Sequence, residues 1–240
     1  MTDIRVIPVD RLELAFAPRP WPFAVERRDE IDAHFADIRR RKPGIWNGRM
    51  LMLYDYALSN GTLRGAYLET DYASFLAWRH WGFPDPTMRN CFAMGAIESA
   101  DGAFVLGIMN DHTASAGSVY FPSGTPEPGD VAGLTVDLEA GLWRELMEET
   151  GLGRNDLAAD SGWDAVLTGR RIALMKRVRS PQRAEELRAR IRAHLARERE
   201  PELKDVQMVH GPADLHPEVL SFVSAYLRHA WNQRSDSSSD

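Results

Sequence analysis

Apolar and polar residues alternate over residues 4–8 and 12–17, which predicts two short strands. The period then lengthens, and Ile31, Phe35 and Ile38 mark one face of a helix over Glu26–Lys42. Met50–Ala57 and Thr62–Thr70 read as the arms of a hairpin around Ser59-Asn60-Gly61, because Asn-Gly accepts the positive φ of a tight turn. A short aromatic helix is expected at Tyr72–Trp81, and Gly82-Phe83-Pro84-Asp85-Pro86 breaks it. Past the break, strands are predicted at Cys91–Glu98, Ala103–Ile108 and Ser118–Phe121, the last leading into a Pro/Gly-rich loop from Pro122 to Gly133. A helix over Asp137–Thr150 follows, with Gly151 placed to end it. The remaining pattern gives a strand pair near Ala165–Val178 and a charged helix at Pro181–Glu200, on which Leu187, Ile191 and Leu195 form a packing stripe. A strand at Val206–His210 and a helix at Pro217–Trp231 complete it.

Strands and helices that interleave with hairpins predict an α/β (α+β) class. Residues 89–234 are expected to form a mixed sheet between helices, an α/β/α sandwich. Residues 1–88 would add a small N-terminal α+β subdomain, and 235–240 a disordered polar tail. Composition adds exclusions. Hydrophobic residues at 44% and charged residues at 27% are globular values. A net charge of −6 argues against a dedicated nucleic-acid binder, which carries a basic stripe. Of 29 basic residues only Lys42, Lys176 and Lys204 are lysine, and the arginines suit bidentate phosphate contacts. Cys91 is the single cysteine, so no intramolecular disulfide forms. The chain opens without an apolar signal core and has no apolar run long enough to span a bilayer. A cytoplasmic protein is expected, with no nucleic-acid or membrane partner, and a homodimer is compatible with the sequence.

The stretch "WRELMEETGL", Trp143–Leu152, carries the chemistry. At about 3.6 residues per turn, Glu145, Glu148 and Glu149 share one helix face, while Leu142, Trp143, Leu146 and Met147 fill a neighbouring apolar arc. Gly141, one turn earlier, leaves a shallow space before the carboxylates. Like charges at these spacings destabilise by roughly 0.2–0.5 kcal/mol per pair, and the negative end of the helix dipole adds to that. Arg144 reaches Glu148 but cannot neutralise all three acids. A hard divalent cation such as magnesium would. An acidic triplet alone is more often a solvated helix face; its setting changes the odds.

Arg144 through Leu152 match Arg-Glu-U-x-Glu-Glu-x-Gly-U, with U aliphatic, which resembles the second half of the box of the Nudix hydrolase superfamily. The first half departs. Val136 stands where that box has glutamate, seven residues before Arg144. Phe121-Pro122-Ser123-Gly124-Thr125-Pro126-Glu127-Pro128-Gly129-Asp130 resembles the Phe-Pro-Gly-Gly-x-x-Glu-Pro-Gly-Glu segment of many family members. Gly124 then takes the box glycine and Asp130 the glutamate position, with thirteen residues instead of seven before Arg144. The added loop costs little entropy. Asp137 is an alternative acid, although N-cap is its simpler role.

The resemblance implies a Nudix fold and hydrolysis of a nucleoside diphosphate linked to another group, with Mg2+ (or Mn2+) as cofactor. It makes Glu148 and Glu149 principal metal ligands, Glu145 a ligand or base, and Arg144 an anchor for the loop. Gly124, Glu127 and Asp130 would support these ligands from behind. Some branches use a separate base in a late loop, for which Glu200 and Glu202 are candidates, though solvated charge is their commoner role. His112 could touch phosphate, and Tyr120, Trp163 and Trp46 could stack on a base; surface and core roles respectively are the simpler readings. The N-terminal unit and the longer loop resemble the UDP-glucose pyrophosphatase branch, so a nucleotide sugar is the first expectation. Coenzyme A or ADP-ribose pyrophosphatase is an alternative, as is a non-catalytic nucleotide-binding regulator.

Overall fold

The computed structural model describes residues 3–237, and side chains through Arg234. In chain order the strands and helices are β1 (Ile4–Val9), β2 (Arg11–Phe16), α1 (Pro22–Glu26), α2 (Arg28–Arg41), β3 (Arg49–Ser59), β4 (Thr62–Asp71) and α3 (Tyr72–His80). There follow β5 (Asn90–Glu98), β6 (Phe104–Met109), β7 (Val119–Tyr120), β8 (Ser123–Gly124), β9 (Val131–Ala132), β10 (Thr135–Val136) and α4 (Leu138–Thr150). The remainder is β11 (Ala158–Ala159), β12 (Trp163–Thr168), β13 (Arg171–Arg179), α5 (Ala184–Leu195), β14 (Leu203–Val209) and α6 (Ser221–Ser237).

Asn60 and Gly61 both take positive φ, 48° and 68°, so β3 and β4 close through a tight turn of the kind Asn-Gly favours. Asp71 caps α3 by accepting from the Ser74 N–H, and Asp137 caps α4 by accepting from the Ala140 N–H. Gly151 ends α4 at φ 69°, the left-handed conformation that glycine adopts without a Cβ clash. Three helices differ from their predicted spans. The one expected over Glu26–Lys42 begins at Arg28, behind a separate short α1 at Pro22–Glu26. Capping by Glu186 starts the charged helix at Ala184 instead of Pro181. α6 starts at Ser221 and runs to Ser237, past the point where a disordered tail was expected; residues 238–240 lie outside the described residues.

The strands form two sheets. The larger is mixed, with main path β1-β12-β13-β5-β6-β14, and β13 and β5 are parallel. Period-2 alternation along these two strands separates two cores. Ile172, Leu174, Ala93 and Ile97 face one way, onto Leu142 and Leu146 of α4 and Leu187 and Ile191 of α5. Ala173, Met175, Met94 and Ala96 face the other, onto Phe222, Val223 and Tyr226 of α6. This is the α/β/α layering expected of the second half.

The smaller sheet runs β3-β4-β2-β10-β9. One face, with Leu51, Leu53 and Tyr67, joins the α4 core, and the other, with Met50, Met52 and Leu68, packs on α1–α3. The sheets do not separate at residue 88, where sequence placed the boundary. β1 pairs along its whole length with β12 of the larger sheet. In the opposite direction, the inserted residues form the β9–β10 hairpin, which joins the smaller sheet through Thr135 opposite Ala15. An alternation pattern reports which face of a strand is buried; it does not report which strand lies beside it.

Candidate active site

The site forms where α4 meets β8. Glu149 is buried and accepts from the Ser123 N–H at 3.2 Å through Oε2, while its Oε1, also buried, has no hydrogen-bond partner among the described residues. Glu145 crosses directly over Gly124, where any Cβ would collide with its carboxylate. A side chain at this position would displace the Glu145 carboxylate. Glu148, one turn on, is largely exposed.

Burial pushes the Glu145 carboxyl up to about 7, with further upward pressure from Glu148 and Glu202. Glu149 is pushed well above the ordinary carboxylate range, first by burial, then by Glu145 and Glu202. Two acids held in this way lack positive charge.

Arg144 supplies part of it. Its Nη1 lies 2.7 Å from Glu145 Oε1 and 3.4 Å from Glu148 Oε2; its Nη2 lies 3.3 Å from Asp130 Oδ1 and 3.4 Å from Glu127 Oε1. One guanidinium therefore spans four carboxylates, as its planar fork allows. None of its contacts reaches the free oxygen of Glu149. Among the described residues, no three His, Cys, Asp or Glu side chains are gathered tightly enough to cage a metal ion, and the arginine stands among the acids as their counterion.

Asp130 is buried, and its Oδ2 accepts from the Glu127 N–H at 3.0 Å, closing the turn Glu127–Asp130. A Cβ on Gly141 would meet Asp130 Oδ1 at 2.8 Å. The space predicted beside Gly141 is thus filled by Asp130. The inserted hairpin leaves and returns around this residue, since the Asp137 N–H donates to the Asp130 carbonyl at 2.8 Å. Six extra residues are accommodated without moving Asp130 away from Arg144. Val136, at the position the unbroken pattern gives to glutamate, is a core residue.

A cleft of about 540 Å³ opens in front of Gly124 and Glu145. Its walls come from both halves of the chain: Trp46 and α3 on one side, Phe92, Tyr120 and Phe222 on the other. Trp46 is 78% exposed. Tyr120, pushed up to about 12 by burial, and His112 also line the cleft. Trp163 does not; it is buried beneath Lys176, whose Nζ sits 4.6 Å from the ring centroid. Met147, assigned to the apolar arc, is 48% exposed because that arc turns past the edge of the core.

Glu202 lines the cleft, whereas Glu200 does not. Its segment is tied down by Asn110, whose N–H donates to the Glu202 carbonyl at 2.8 Å and whose side-chain amide donates to the Pro201 carbonyl at 3.0 Å. Solvated charge is the commoner reading of Glu202 because nothing local shows that β14 pairs with β6 and brings the residue just before it to the cleft.

No protein-family model and no curated protein matches the chain. Solved structures that align with part of the chain include the Nudix hydrolase RenU from M. smegmatis (15% identity, TM-score 0.38, covering 60% of this chain and 84% of that one). The MutT protein of Methanosarcina mazei Go1 aligns at 14% identity and TM-score 0.41, covering 61% and 96%. The C-terminal domain of mouse MUTYH, crystallised with human PCNA, aligns at 16% and 0.39, covering 60% and 89%. At TM-scores below 0.5, function has to be read from the residues of the site.

Proposed function

We propose that the chain is a Mg2+- or Mn2+-dependent Nudix hydrolase that cleaves the pyrophosphate of a nucleoside diphosphate linked to another group, with a nucleotide sugar as the first candidate. The observation that carries this reading is the pair of desolvated carboxylates, Glu145 at the wall of a cleft and Glu149 beside it, the latter with a buried oxygen that nothing among the described residues satisfies. Hard oxygen donors in that state suit a hard divalent cation; Glu145, Glu148 and Glu149 are the residues that would hold it, and they would have to draw together as Arg144 gives way to the ion. When bound, the ion would neutralise the pyrophosphate and lower the pKa of a water.

The chain's own groups have distinct tasks. Arg144 holds the acids in register with the loop. Glu202, which lines the cleft with Glu145, would take a proton as water oxygen bonds to phosphorus and the anhydride P–O bond breaks, releasing a nucleoside monophosphate and a phosphorylated product. Trp46, Phe92 and Tyr120 offer ring faces for a base. The volume lies within the range of small-ligand sites.

The test is hydrolysis of a panel of UDP-sugars, ADP-ribose, dinucleotides and coenzyme A with magnesium or manganese. A Glu148→Gln variant, altered at an exposed side chain, should fold normally and lose at least about 100-fold in kcat. If no substrate turns over while nucleotides still bind, the chain is a binding module and the hydrolase reading fails.

A further inference from the structure

Four cationic side chains line the cleft: Lys42, Arg49, Arg79 and Arg171. Two have partners. The Lys42 Nζ donates to the Ala114 carbonyl at 3.1 Å, and Arg49 pairs with Glu69 at 2.6 Å. Arg79 and Arg171 do not: among the described residues, neither guanidinium has a hydrogen-bond acceptor or an acidic partner. What each has is a ring. Arg171 lies 4.6 Å from the Phe222 centroid and Arg79 lies 5.8 Å from that of Phe75. The two also repel one another, and burial followed by Arg79 lowers the Arg171 pKa. A half-buried guanidinium that faces a second one and no carboxylate is unfavourable unless an anion completes the pair. Arginines stacked on rings keep their donors directed edge-on, ready for a planar or tetrahedral oxyanion.

The strand registers fix how far Arg171 stands from Gly124, over which Glu145 lies. Arg171 is paired with Asn90 at the start of β5, and Gly124, under Glu145, is opposite Ala93 three residues on, a rise of about 10 Å. β13 occupies one edge of β5, so β8 lies on the other, and two strand spacings add about 9.5 Å across the sheet. The backbone separation of Arg171 from Gly124 is therefore roughly 14 Å, so the arginines and the carboxylates stand at separate positions along the cleft.

We propose that Arg79 and Arg171 form an anion subsite for a second negatively charged group of the substrate, a phosphate or a carboxylate lying beyond the pyrophosphate. The inference takes the cleft as the substrate site proposed above, and narrows the substrate from a neutral nucleotide sugar to a nucleoside diphosphate derivative with a further anionic group.

The experiment is calorimetric titration of the full chain in EDTA, so that no turnover is read. Two probe pairs differ by one anionic group: adenosine 3′,5′-bisphosphate against AMP, and UDP-glucuronate against UDP-glucose. The additional anion should tighten binding about tenfold in at least one pair, and the responding pair tells phosphate from carboxylate. That preference should vanish in Arg171→Gln and in Arg79→Gln, the latter at an exposed position in the last turn of α3 where folding is not at risk. No preference in either pair, or a preference that survives both substitutions, overturns the subsite. A chain that keeps the preference but hydrolyses nothing overturns the hydrolase reading and leaves the subsite standing.

Discussion

Glu149 is held in a way that trades stability for a site. Replacing it with glutamine leaves an amide oxygen for the Ser123 N–H and removes the desolvated charge. Glu149→Gln should therefore raise stability while abolishing hydrolysis, measured by denaturant unfolding and turnover. Glu145 makes a pH prediction with a definite sign. Its folded value of about 7 lies above the ordinary 4.5, so between these values the folded state retains a proton that the unfolded state releases. Its contribution is fully present below pH 4.5 and is lost as pH rises through 7, a loss on the order of 3 kcal/mol at most without divalent cation. Magnesium should flatten that slope, and a melting curve as steep with magnesium as without it would count against cation binding here. At this scale the acidic face was legible because i, i+3 and i+4 spacing is local. Glu202, Arg79 and Arg171 were not recognised as neighbours, because strand pairing and the docking of α3 bring them together.

The β9–β10 hairpin reads in sequence as a loop insertion and in the structure as a clip. It pairs with β2, its Leu134 carbonyl accepts from the Phe16 N–H at 2.8 Å, and its ends meet at Asp130. Deleting residues 131–136 would restore the seven-residue spacing, yet it would remove an edge of the smaller sheet and part the Asp130–Asp137 contact. The deletion should lower Tm by several degrees and reduce kcat/KM, with the larger effect on KM because the cleft wall loosens. The sequence could show the extra residues but not their partner. Two-residue strands lack the length to display a period, so the hairpin was hidden inside a Pro/Gly-rich stretch.

The two halves of the molecule share one core. Leu51, Leu53 and Tyr67 of the smaller sheet belong to the same buried cluster as Leu142, Leu174 and Ile191, and β1 completes the larger sheet. Residues 89–234 alone should therefore fail to give a dispersed amide NMR spectrum, while the full chain should unfold in a single calorimetric transition. Independent folding of that fragment would show that the boundary read from the sequence is a true domain boundary. The α/β/α half was legible from its helix and strand periods; the crossing of β1 and the inserted hairpin was not, since long-range pairing leaves no local mark. No helix among the described residues is long and apolar enough to cross a membrane. The cleft lies between walls from the two sheets, so whatever fills it acts as mortar between them. A ligand at a hundred times its Kd would add about 2.7 kcal/mol to the stability of the whole chain. Heat resistance can therefore serve as a detector, and a compound library screened by melting temperature alone should pick out the natural substrate before any assay for its chemistry exists.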